Sequence, residues 1–290
     1  MKFIFAFFLT LSIANNSYAA FTEHFSSWLK KNYSFLLSDR PAYGGKLLPQ
    51  EKTTKIPTIL IHGNADMAVS SNFPARDEKL GWNNVILDLK SKGYKESELY
   101  AFTWGSGNPK HAKYNYHSYE NLKNLRAFIQ AVKKYTNSEK INVVAHSMGV
   151  TLARGAIIGG KGFDSAMTST EYNLGAPLDF IHKFIGISGA NLGLKNCYDN
   201  SFYPACGKIN GLYPHGKYLR KINKSQVRLA KKIYSLCSLN DKVIGNQLQV
   251  SGLNTCFLPQ QDGKMLFTKL KINHFETKTQ TSFDILNFLI

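Results

Sequence analysis

The chain has 290 residues, of which 43% are apolar, 13% aromatic and 19% charged. That is enough apolar material for a sizeable core, and it excludes wholesale disorder, a collagen-like repeat and a disulfide-stapled miniprotein. The net charge of +17 is carried mostly by Lys scattered along the whole sequence, with no basic stripe or recognisable nucleic-acid module, so a solvated basic surface is expected and nucleic acid is not an expected partner.

Met1-Lys2 gives a short positive start, and Phe3 to Ala14 is an apolar run. Ser17-Tyr18-Ala19 then places small residues at −3 and −1 of a cleavage after Ala19. This three-part pattern predicts a secretory signal over 1–19; the run is too short for a comfortable bilayer span. No second long apolar run follows, which excludes a polytopic membrane protein. Residues 20–290 carry no linker, repeat or low-complexity stretch and read as one domain.

Residues 20–55 form a mixed lead-in arm. Pro57 to Ile61 is an unbroken β-branched and Leu run, the mark of a strand buried on both faces; it ends in His62-Gly63-Asn64. Trp82, Val85, Ile86 and Leu89 have helical spacing, closed by Gly93. Leu99 to Thr103 is the next strand. Tyr119, Leu122, Leu125, Ile129 and Val132 make one helix stripe that stops near Asn137-Ser138. Ile141 to Ala145 is a strand, Met148 to Ile158 a helix, and Phe184 to Ser188 a fourth strand. Residues 189–224 read as a long loop excursion, and 191–222 as a mobile cover over the site. Ile233 to Ser238 is a fifth strand, 239–275 is irregular, and Phe283, Leu286 and Leu289 mark a closing helix. Alternating strands and helices predict an α/β class fold with a mostly parallel, doubly wound sheet and helices on both faces. Functional groups then belong at the C-terminal ends of the strands.

Export also gives the cysteines a meaning. Cys197 and Cys206 lie in one irregular loop, while Cys237 and Cys256 flank another, so these two local pairs are the expected disulfides. Their spacing does not suggest a metal site.

Ala145-His146-Ser147-Met148-Gly149 joins a hydrophobic strand to a helix through a Ser with small residues at −2 and +2. This is the pattern of a nucleophile elbow, in which a strained turn lifts the hydroxyl above the sheet. Acyl transfer needs backbone donors for an oxyanion. Met148 N–H, just after the Ser, is one candidate; Asn64 N–H, after the permissive Gly63, is the other, with Ala65 as its neighbour. A Ser nucleophile also needs a base and an orienting carboxylate. Of the histidines after Ser147, His182 precedes a strand and His215 lies in the excursion, which favours His274 before the last helix. Asp241 follows the fifth strand directly; Asp199 and Asp262 are the alternatives.

Five blocks occur in order: His62-Gly63-Asn64-Ala65-Asp66, Phe102-Thr103-Trp104-Gly105, Ala145 to Arg154, Gly186 to Asn191, and Asp241-Lys242-Val243-Ile244. Together they resemble the class 2 lipase family of α/β-hydrolases, which has nematode and bacterial members, from about Pro57 to about His274. The resemblance implies the α/β-hydrolase fold and a secreted lipase-like serine hydrolase, with Ser147 as nucleophile, Asp241 as acid and His274 as base. The departure is Ala145, where the family usually has Gly. Such chemistry needs no metal or organic cofactor. The expected substrate is an acylglycerol or other lipid ester met at a membrane or emulsion interface. A short-chain esterase, a polyester depolymerase and a non-catalytic basic binding protein are the alternatives.

Overall fold

The computed structural model describes residues 20–164 and 170–290; the expected signal segment at 1–19 lies outside them. Ahead of the first predicted strand, the lead-in arm holds helix α1 (Glu23–Asn32) and a two-residue strand β1 (Ala42–Tyr43). Then follow β2 (Thr58–Ile61), α2 (Asn83–Ser91), β3 (Leu99–Phe102), α3 (Tyr119–Thr136), β4 (Ile141–His146) and α4 (Met148–Ile158). A hairpin, β5 (Lys161–Asp164) and β6 (Thr170–Asn173), precedes β7 (Ile181–Ile187), α5 (Lys217–Lys224) and β8 (Lys232–Ser238). A small pair, β9 (Gln249–Val250) and β10 (Leu253–Asn254), leads to β11 (Gly263–Phe267), α6 (Glu276–Thr279) and α7 (Ser282–Leu289).

The main sheet has the order β1-β3-β2-β4-β7-β8-β11. All neighbours are parallel except β1, which pairs antiparallel with β3. Three predicted boundaries change. The arm contributes a helix and an edge strand, the excursion contains α5, and the stretch expected to be irregular contains β11, paired residue for residue with β8 from Gly263↔Tyr234 to Phe267↔Ser238. The short strands β1 and β11 form because the sheet offers an open edge, while α1 and α5 turn the buried stripes Phe25/Leu29 and Tyr218/Leu219/Ile222 onto the core.

Alternate side chains of each strand enter different cores. Ile59, Ile61, Ile141, Val143, Ala145 and Phe184 pack with α1, α3, α4 and α5; Leu60, Val144, Ile185 and Leu236 pack with α2 and α7. Helices therefore cover both faces, which is why these strands read as continuous apolar runs. The ends of the long helices obey local chemistry. Ser118 Oγ accepts from Asn121 N (3.1 Å) at the start of α3, and Asn137 closes it at φ 51°.

The chain runs outward from β2 to β3, then returns to place β4 on the other side of β2. This reversal opens a crevice at the C-terminal ends of β2 and β4. Register fixes what meets there. Ile61 pairs with Ala145, and His146 pairs with Ile187. The loop at His62-Gly63-Asn64 and the turn at Ser147 are therefore neighbours.

Candidate active site

Ser147 sits between β4 and α4 with φ 54° and ψ −128°, a region that non-glycine residues seldom occupy. Its N–H donates to Ile187 O at 2.9 Å, which fixes the turn to β7. The space around it leaves no freedom in sequence. A Cβ on Gly149 would stand 2.2 Å from His62 O, and one on Gly63 would stand 2.9 Å from Ser147 Cβ. These two glycines let β2's loop press against the elbow. Met148 N–H, at the first position of α4, has no carbonyl one turn back within the helix.

His274 Nε2 lies 3.0 Å from Ser147 Oγ, and His274 Nδ1 lies 2.7 Å from Asp241 Oδ2. Charge chemistry sets the tautomer. A carboxylate only accepts, so Nδ1–H donates to Asp241 and Nε2 is free to accept from the Ser147 hydroxyl. Asp241 is itself held: its Oδ1 accepts from Val243 N (2.9 Å) and Ile244 N (3.1 Å). Ser238 Oγ donates to Ile272 O, joining the end of β8 to the His274 loop.

The alternatives go elsewhere. Asp262 precedes β11 at the opposite edge of the sheet, where it accepts from Ile233 N (2.8 Å) and Arg228 Nη2 (2.6 Å) and lies 3.6 Å from Lys232 Nζ. Asp199 is exposed in the excursion. His182 is in the first turn of the ladder at the start of β7, and His215 stays in the excursion, its N–H donating to Leu192 O at 3.3 Å.

Three further histidines shape the surroundings. His62 Nδ1–H donates to Gly63 O (2.7 Å), and its Nε2 accepts from Trp104 N (3.0 Å). Burial lowers His62 to about 4, so this ring is a neutral strut. His146, beside the Ser, donates from Nε2 to His274 O at 3.0 Å, and its ring packs 4.7 Å from the His274 ring. Burial holds its pKa well below the usual His value. His117, lowered by burial to about 4, donates from Nδ1 to Asn210 O (2.7 Å) and joins Thr151 Oγ1 on α4 (2.7 Å). The sequence reading missed the roles of His146 and His117, although His146 lies inside the elbow pattern and could have been singled out there.

These rings carry a pH consequence. A His whose folded pKa is depressed binds its proton in the unfolded state first, so unfolding gains as pH falls. The contribution is present above about 6.5 and is lost down to about 4 for His62 and His117. The melting temperature should drop by several degrees between pH 7 and pH 5, read by circular dichroism. His62→Gln should flatten that slope.

Asn64 directs its side chain away from Ser147. Its Nδ2 donates to Ala112 O (2.9 Å), and its Oδ1 accepts from Asn115 Nδ2 (2.8 Å). Only its backbone is left for an oxyanion, and the side chain anchors the loop after β3. The cysteines are joined as Cys197–Cys206 and Cys237–Cys256. The second bond ties β8, just ahead of Asp241, to the loop after β10. Both ends of the 191–222 segment are anchored to the body of the fold. Buried Arg154 on α4 donates to Asn191 Oδ1 (2.8 Å) and Ile222 O (3.0 Å), and Asn191 Nδ2 donates to Cys256 O (3.1 Å). Phe202 within the segment is exposed.

Residues 55–286 match the lipase (class 2) family. No curated protein matches the chain. Among solved structures, the mature form of the Bacillus licheniformis lipase BlEst2 is similar, at 14% identity and a TM-score of 0.54, covering 86% of this chain and 97% of that one. A bifunctional GH43-CE protein of Bacteroides eggerthii is similar at 12% identity and a TM-score of 0.50, covering 83% of this chain and 34% of that one. At such identities the likeness is one of fold, and that fold is the α/β-hydrolase. The family match runs from just before β2 to α7, through every strand of the crevice, and by it the chain belongs to the class 2 lipases, carboxylic-ester hydrolases of the α/β-hydrolase fold.

Proposed function

We propose that the protein is an exported lipase that cleaves acylglycerol esters through an acyl-enzyme on Ser147. The observation that carries this is the unbroken line from Asp241 through His274 to Ser147, at 2.7 and 3.0 Å. His274 takes the hydroxyl proton as Ser147 Oγ attacks the ester carbonyl. Asp241 holds the tautomer and stabilises the imidazolium. The backbone N–H groups of Asn64 and Met148 stabilise the oxyanion, a contribution of about 3 kcal/mol for each donor. His274 then gives its proton to the departing alcohol, and water, activated by the same ring, releases the acid from Ser147.

Side chains near the site support a lipid substrate. Leu270 (87% exposed), Phe275 and Val243 stand exposed on the loops that bear His274 and Asp241. Lys242, Lys269 and Lys271 lie on those same loops and favour an anionic interface. Two disulfides support export, and the whole of 20–290 is read as the hydrolase unit.

A series of p-nitrophenyl esters from short to long acyl chains, with and without an emulsion and at low and high salt, tests the reading. We expect long-chain turnover to rise several-fold on emulsified substrate and to fall as salt screens the surface. Highest rates on short soluble esters, indifferent to emulsion and salt, would assign an esterase instead.

A further inference from the structure

Two residues past Asn64, Asp66 is buried at 5% exposure; one helical turn past His274, Lys278 is buried at 0%. Their side chains meet at 2.6 Å, across 212 positions of sequence. Both groups are held by further contacts besides each other. Asp66 Oδ1 accepts from Met67 N (2.8 Å) and Gly81 N (2.7 Å), and Oδ2 receives the ammonium. Lys278 Nζ also donates to Lys79 O (3.2 Å) and lies 5.6 Å from the centre of the Trp82 ring.

The backbone around each partner is short and stiff. Thr277 N donates to Asn273 O (3.0 Å) and Lys278 N to Phe275 O (2.9 Å), so a single tight turn connects His274 to the ammonium. On the other side, Ala65 at φ 62° alone separates Asn64 from Asp66. A shift of either charge therefore moves a loop end at the crevice.

Stability alone gives a weak reason for this arrangement. A buried ion pair commonly contributes no more than an apolar pair of the same volume, whereas removing one partner strands a charge. What an apolar pair lacks is direction: the hydrogen bonds here fix the distance and angle between two loops. Acyl transfer needs that, because oxyanion donors act only within about 2.7–3.1 Å of the developing charge, and a misplacement of about 1 Å costs roughly 10²-fold.

We propose that Asp66 and Lys278 are positioning residues that clamp the turn bearing the Asn64 N–H to the loop bearing His274, setting their separation for the transition state. This rests on the hydrolase reading above. Neither side chain touches the substrate, so the clamp acts on turnover and leaves ground-state binding nearly unchanged.

The test uses Asp66→Asn, Lys278→Met and the double variant Asp66→Asn/Lys278→Met, assayed on a soluble short-chain ester with melting followed by circular dichroism. Each single variant should melt lower, because it leaves one charge buried without its partner. The double variant should recover most of the melting temperature while kcat stays about 30- to 100-fold below wild type, with KM within about threefold. Asp66→Asn is nearly isosteric and, assayed well below its own melting temperature, should show the same split of kcat from KM even if the double variant does not fold. Recovery of kcat together with melting temperature in the double variant, wild-type kcat in folded Asp66→Asn, or a change confined to KM would each overturn the clamp. Wild-type protein that neither turns over ester nor is labelled at Ser147 by a fluorophosphonate would instead overturn the hydrolase reading.

Discussion

Replacing Ser147 with Ala should lower ester hydrolysis by about 10⁵- to 10⁶-fold, because the nucleophile and its base act as a unit and losing either removes most of the acceleration. Folding should survive. The Ser147 side chain makes no capping bond to α4, and its Oγ meets His274 Nε2 at 3.0 Å, so no buried backbone donor is stranded by its loss. The turn itself depends on Gly63 and Gly149 leaving room, and on the bond from Ser147 N to Ile187 O, all of which Ala retains. A fluorophosphonate should label wild type and leave Ser147→Ala unlabelled, with melting temperatures within a few degrees of each other. Labelling that persists in the variant would falsify the assignment of the nucleophile.

Asp241→Asn should cut turnover by about 10⁴-fold with substrate binding retained. An amide in that place can still accept from Val243 N and Ile244 N, which now bond to Oδ1, so the loop should hold. Toward His274, however, the amide presents N–H where the carboxylate presented a lone pair. The ring then turns to the other tautomer, with a proton on Nε2 facing Ser147, and can no longer take the hydroxyl proton. Asp262→Asn should change turnover by less than about tenfold. Asp262 answers Arg228, Lys232 and the N–H of Ile233 at the far edge of the sheet, so its loss disturbs that edge and leaves the His274 ring alone. Steady-state kinetics on both variants, with folding verified by circular dichroism, decide the ranking; the reverse order would move the acid to the later loop.

Some of this molecule could be read locally because local physics made it. A strand buried on both faces reads as a near-continuous apolar run, which identified Ile59 to Ile61 of β2 and Val143 to Ala145 of β4. A turn with the backbone of Ser147 must have small neighbours, which identified the elbow and the start of α4. Gly93 at φ 82° and Asn137 at φ 51° end their helices for reasons contained in a few residues. β11 had no such signal. Gly263 to Phe267 alternates between half-buried and exposed positions behind a Gln-Asp-Gly turn sequence, and it becomes a strand because β8 offers an unpaired edge.

The site divides in the same way. Sequence alone singled out Ser147 and the Gly-flanked loop after β2, since the strained turn and the close backbone approach each impose residue types at fixed spacing. It narrowed the carboxylate to Asp241, Asp199 or Asp262 and left the choice to chain order and resemblance, because a loop Asp looks the same whichever edge of a sheet it reaches. Tertiary structure separates these residues through strand direction: past the end of β8, Asp241 Oδ2 meets His274 Nδ1, while Asp262, ahead of β11, meets the N–H of Ile233 at the other edge. It also decided the contacts that no spacing encodes, His146 against His274 O and Asp66 against Lys278. Those partners lie 128 and 212 residues apart and meet only when the sheet brings its strand ends to one edge, so nothing in either neighbourhood of sequence records the other.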